Sequence, residues 1–97
     1  MPKEVKTEEE FLEAAKRARE CRVKKSYVYV KTEQGVEKKP ILKVKARTRR
    51  YLYTLKFEDF EKGIEFAKKL REMASKNEVC GGNLVILDKD LEPQITG

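Results

Sequence analysis

Between residues 43 and 56 the chain reads KVKARTRRYLYTLK, and this stretch limits the possible folds more than any other. Lys43, Lys45, Arg47 and Arg49 alternate with Val44, Ala46 and Thr48. In a strand, spacing of two sends the cations to one face and the smaller residues to the other. A row of Lys and Arg is not buried unpaired, so the cationic face must meet solvent or a partner. The stretch therefore predicts a sheet with one covered and one open face. Residues 50–57 form the next predicted strand, after a short polar turn around Thr48.

The remaining elements are read from periodicity and end signals. Thr7 followed by Glu10 forms a capping box, and Phe11, Leu12, Ala15 and Ala18 recur at helical spacing, predicting a helix over residues 8–20. Residues 22–31 alternate Val28 and Val30 with Tyr27, Tyr29 and Lys31, a composition that favours a strand. Residues 32–39, with Gly35, read as a polar loop, and Pro40 delays the next ladder bond, placing that strand at 41–47. Asp59 caps a second helix whose apolar stripe is Phe60, Ile64, Ala67, Leu70 and Ala74. Gly63 interrupts it, at a cost of up to ~1 kcal/mol relative to Ala, and marks a candidate point of close packing on the sheet. Asn77 and Gly81–Gly82 end that segment, and residues 83–88 (NLVILD) fit a last strand.

The expected architecture is α+β. It is a two-layer sandwich in the order helix, strand, strand, strand, helix, strand, with both helices on one face of a mainly antiparallel sheet. At 97 residues the chain is expected to form one domain over 1–88, with a loosely held tail over 89–97.

Charge is unevenly distributed. Residues 16–56 hold 15 Lys/Arg against only Glu20, Glu33 and Glu37, while the whole chain has a net charge of +6. This segregation fits a polyanion-facing half and a solvated half. A membrane surface also attracts cations, but no hydrophobic run approaches the ~20 residues that span a bilayer. The basic segment also lacks the pattern of an interfacial amphipathic helix. Nucleic acid is the better-fitting partner, with an acidic protein as the alternative. The bland reading of the basic strand is a solvated lysine face.

Catalytic chemistry is sparsely provided. The chain has no histidine, and its two cysteines, Cys21 and Cys80, lack metal-knuckle spacing. They are expected to be reduced, part-buried thiols, with a disulfide joining them as the alternative. The carboxylates cluster in first turns of helices, where capping explains them. There is no Walker loop or GxGxxG, and Gly81–Gly82 reads as a turn. No cofactor or metal site is expected, and the start MPKEVKTEEE lacks an apolar signal region, which favours the cytoplasm. The tyrosines Tyr27, Tyr29, Tyr51 and Tyr53 fall in pairs spaced by two. They serve either as strand packing or as a base-stacking platform. For 51–57, the face with Tyr51, Tyr53, Leu55 and Phe57 is the more apolar and is expected to be the buried one.

RRYLYTL at residues 49–55 resembles the signature of an e-type large-subunit ribosomal protein family, the one numbered thirty-eight, found in eukaryotes and some archaea. The likeness runs over residues 44–70 and resumes at ECRVKK, residues 20–25. The resemblance implies an α-β-β-β-α plait and structural binding of ribosomal RNA beside neighbouring ribosomal proteins, as a monomer in the cytoplasmic ribosome. Residues 26–40 look longer than the family's hairpin, and the chain continues past the family's usual end near Asn77. The candidate RNA-binding residues are Lys24, Lys25, Lys43, Lys45, Arg47, Arg49, Arg50 and Tyr51.

Overall fold

The computed structural model describes residues 2–96. Strand β1 (Pro2–Val5) and helix α1 (Glu8–Arg17) come first, then strands β2 (Glu20–Thr32), β3 (Gly35–Arg47) and β4 (Leu52–Phe57). Helix α2 (Phe60–Ser75), a single 3-10 turn (Cys80–Gly82), strand β5 (Leu84–Ile86) and helix α3 (Glu92–Thr96) complete the chain. The sheet order is β1-β4-β3-β2-β5. The inner pairs β2·β3 and β3·β4 are antiparallel, while β1 and β5 join β4 and β2 in parallel. The expected α+β class is observed, but the sheet is mixed: its antiparallel centre is flanked by a parallel strand at each edge, one of them an extra strand at the start, and a short helix is added at the end.

Register shows why one face is covered. Across the strands, Val5, Leu55, Val44, Val23 and Ile86 share one row. All five belong to, or pack against, the core cluster that also holds Phe11 and Ala15 of α1 and Phe66, Ala67 and Leu70 of α2. Both helices therefore lie on this face. Tyr53, Leu55 and Phe57 also point into it, as the apolar count predicts.

The predicted caps form. The Glu10 N–H donates to Thr7 Oγ1 at 3.1 Å, and Asp59 Oδ1 accepts from the amides of Glu61 and Lys62. Helix α1 nevertheless ends at Arg17, three residues short of the expected end. Ala18 is extended, and the Arg19 N–H already donates to the Arg47 carbonyl, so the sheet claims this segment. Gly63 marks close packing: a Cβ there would sit 2.8 Å from Leu42 Cβ and 3.0 Å from Phe57 Cβ.

Three expectations need correction. Residues 32–39 are not a loop. The β2–β3 ladder continues without a break from Glu20↔Arg47 to Thr32↔Gly35, leaving only Glu33 and Gln34 as the turn. Pro40 is tolerated because β4 reaches only to Leu42, so β3 has no second neighbour there. Two strands of 13 residues each span roughly 43 Å at ~3.3 Å per residue, which accounts for the 46 Å long dimension.

Cys21 and Cys80 are not free thiols but form a disulfide with Cα atoms 5.2 Å apart. The turn before β5 folds against β2, where Cys21 pairs with Leu84 and its N–H donates to the Asn83 carbonyl. Both cysteines are fully buried.

The tail is not loose. Leu91 and Ile95 are buried in the main core beside α2, and Gly97 lies outside the described residues. Asp88 also accepts from the Lys25 N–H at 2.7 Å, a bond to the edge of β2 just past β5. Leu87 N–H donates to the Val23 carbonyl in the same way.

Candidate nucleic-acid interface

The register that buries Val23, Val44 and Leu55 sends their neighbours to the opposite face. Among the described residues, no helix packs there. Lys24, Lys43 and Lys56 pair in one row across β2, β3 and β4. Arg22, Lys45 and Thr54 form the next row, and Glu20, Arg47 and Leu52 the third. Six cations thus share three strands with a single acid, Glu20, which is already paired to Arg22 at 3.1 Å. Glu4 of β1 is the next acid on this face, opposite Thr54. Among the described residues, Lys24, Lys43, Lys45 and Lys56 make no ion pair.

Like charges directly opposite on a sheet are destabilising, because their Cβ atoms stand only ~4.5–5.5 Å apart. The Lys24–Lys43–Lys56 row repeats that conflict twice. Lys43 and Lys45 are half-buried, consistent with apolar stems lying along the sheet and ammonium groups reaching outward. A groove of about 250 Å³ is lined by Arg22, Lys24, Lys45 and Arg47 together with Glu20, Leu52 and Leu87. This surface can neutralise several phosphates at once.

The sequence-derived residues divide into three groups. Lys24, Lys43, Lys45 and Arg47 come together on the open face. Arg49 and Arg50 lie exposed in the turn joining β3 to β4, next to the end of that face. Thr48 holds this turn: its Oγ1 donates to the Tyr51 carbonyl and accepts from the Tyr51 N–H.

Lys25 and Tyr51 are placed on the helix side. The Lys25 ammonium lies 3.6 Å from Asp90 and over the rings of Tyr27 and Phe60. Hydrogen bonding toward Tyr27, reinforced by the charge of Asp90, raises its pKa above the ordinary lysine value. The Tyr51 ring packs edge-on against Tyr53, with Lys3 over both.

Sequence reasoning missed Arg22 and Lys56, which fall outside the alternating run. Only the cross-strand register aligns them with it. Among the described residues, no group of three or more His, Cys, Asp or Glu could hold a metal, and no helix is long and apolar enough to cross a membrane.

The model of the Ribosomal L38e protein family matches residues 1–77. The chain belongs to that family. One relative, large ribosomal subunit protein eL38 of Aeropyrum pernix, is 46% identical over 56 residues, covering 58% of this chain and 66% of that protein. The likeness thus spans just under two thirds of the relative's length. The family match takes in α1, the four strands β1–β4 and α2, and so the whole of the Lys24–Lys43–Lys56 row. The 3-10 turn, β5 and α3 lie beyond it.

Proposed function

We propose that this protein is a non-catalytic structural component of the large ribosomal subunit that binds ribosomal RNA through its open sheet face. The unopposed row Lys24–Lys43–Lys56 carries the reading. A fold that tolerates adjacent like charges across three strands gains from the arrangement only when a polyanion lies over it. Arg22, Lys24, Lys43, Lys45, Arg47 and Lys56 are the phosphate contacts, with Arg49 and Arg50 extending them past the strand end. Arginine can engage a phosphate bidentately, whereas lysine acts as a point charge. The part of the other face that the helices cover meets protein neighbours or solvent. The chain acts as a monomer within the cytoplasmic ribosome and needs no cofactor.

The test is salt-dependent binding to purified large-subunit ribosomal RNA. Replacing Lys24, Lys43, Lys45 and Arg47 by Gln should flatten the log–log salt slope by about three, at roughly 0.7–0.9 per lost contact. The circular dichroism spectrum should stay native. An unchanged slope with an intact fold would show that RNA binds elsewhere.

A further inference from the structure

Beyond β4 and β5, the hairpin of β2 and β3 continues as a two-stranded ribbon with no third strand beside it, since β5 pairs only as far as Val23 and β4 only as far as Leu42. Exposed apolar side chains are concentrated there. Tyr29 is 72% exposed and Val36 63%, and Tyr27 and Val30 are also exposed.

The two ribbon faces differ. Register places Tyr27, Tyr29 and Lys31 on one face with Pro40, Lys38 and Val36. The other carries Val28, Val30, Lys39 and Glu37. Among the described residues of the ribbon, the tyrosine face has no acid between Tyr27 and the tip, and Glu58 and Asp59 lie beside Pro40 at its base. Glu33 is in the turn, Glu37 is on the opposite face, and Asp90 is bound to Lys25 at the ribbon's base.

The two tyrosines on this face are in different states. The Tyr27 ring lies under the Lys38 ammonium at 4.0 Å and beside Lys25 at 5.4 Å, so its π surface is already engaged. Tyr29 sits directly across from Lys38, and among the described residues its ring makes no aromatic or cationic contact. It is a flat, open ring on a backbone held by an unbroken ladder, with Lys31 and Lys38 close by on the same face. A tyrosine orders at low entropic cost, and a base can stack on it whatever its identity. An acidic protein would satisfy the lysines but gain little from the exposed ring.

We infer that the distal ribbon is a second RNA contact, separate from the open sheet face, in which Tyr29 stacks on an unpaired base while Lys31 and Lys38 hold the flanking phosphates. The inference rests on the RNA-binding reading for its partner class but on different residues and a different form of RNA. The sheet face reads backbone charge, whereas the ribbon requires a base free of its duplex.

Two probes separate these roles: a fully paired RNA duplex and a ten-nucleotide single-stranded oligouridylate. Tyr29→Ala should weaken oligouridylate binding roughly 5- to 150-fold, the usual span for one stacked base, and leave duplex binding unchanged. Tyr29→Phe should bind like the natural protein, because stacking uses the ring and not the hydroxyl. Replacing Lys31 and Lys38 by Gln should flatten the oligouridylate salt slope by about 1.4. Because Tyr29 is largely exposed, its variants should keep a native circular dichroism spectrum. Equal oligouridylate affinity of Tyr29→Ala and the natural protein overturns the ribbon contact, as does a Tyr29→Phe variant as weak as Tyr29→Ala. If the natural protein binds neither probe, the RNA reading as a whole falls. If it binds both and only Tyr29 proves silent, the sheet-face reading stands without the ribbon.

Discussion

Lys43 lies at the centre of the row Lys24–Lys43–Lys56, so Lys43→Gln tests whether this surface trades stability for binding. With ammonium groups taken as about 7 Å apart, each repulsion is worth ~0.6 kcal/mol in water, or about 1.2 kcal/mol for the two pairs. Physiological salt, with a screening length of about 8 Å, should leave a little under half of that. Gln keeps most of the half-buried stem, so packing is little changed. Lys43→Gln should therefore stabilise the folded protein by about 1 kcal/mol at low salt, raising Tm by roughly 4–8 °C, and by about half as much at 0.15 M. Its RNA salt slope should fall by about 0.7–0.9 at the same time. Lys68→Gln on α2 is the control: this lysine is a turn away from both Glu65 and Glu72, so its loss should not raise Tm. Calorimetric melts at two ionic strengths and RNA titrations of both variants supply the measurements. A lower Tm for Lys43→Gln, or a gain that does not shrink with salt, would refute the picture of an unrelieved cationic row.

Gly63→Ala should lose stability even though Ala is the better helix former by about 1 kcal/mol. Its Cβ would meet Leu42 Cβ at 2.8 Å, and crowding of this sort costs ~1–3 kcal/mol, so urea denaturation should show a net loss. Replacing Cys21 and Cys80 together by Ala opens a loop of 59 residues, which chain entropy values at about 4 kcal/mol. Denaturant titration should register most of that loss, and adding reductant to the natural protein should reproduce it. Two titratable thiols in the native, oxidant-free protein would contradict the bridge.

What could be read from the sequence was local. The capping residues Thr7 and Asp59, the stripe of α2 and the alternation of Lys43–Arg47 each act over a few residues, and each appears as expected. The misreadings involve partners distant in sequence. Pro40 and Gly35 look like loop residues until β3 is seen to lack a second neighbour at that point. Pro2–Val5 carries no pattern of its own and becomes a strand only by pairing with β4, some fifty positions later. Leu91 and Ile95 look like scattered apolar residues in a polar tail, yet the gap beside α2 takes both. The basic site was half legible for the same reason: its cations on β3 were visible, whereas Arg22 and Lys56 join them only through the register. Lys25 and Tyr51 fall on the other side from these cations, since charge and aromaticity do not report which way a strand residue faces.

The position of β5 after α2, far along the chain from its partner β2, sets an order of events during synthesis. β2 is made well before the groups that cover its outer edge, Asn83, Leu87 and Asp88, which follow about sixty residues later. Until they leave the exit tunnel, a nascent chain with both helices and the long hairpin in place presents a bare strand edge and a solitary Cys21 thiol. Such an edge is a template for pairing with another chain. Emergence of the segment after α2 therefore closes the sheet against intermolecular association, and the sulfur–sulfur bond then locks that closure for as long as it stays oxidised.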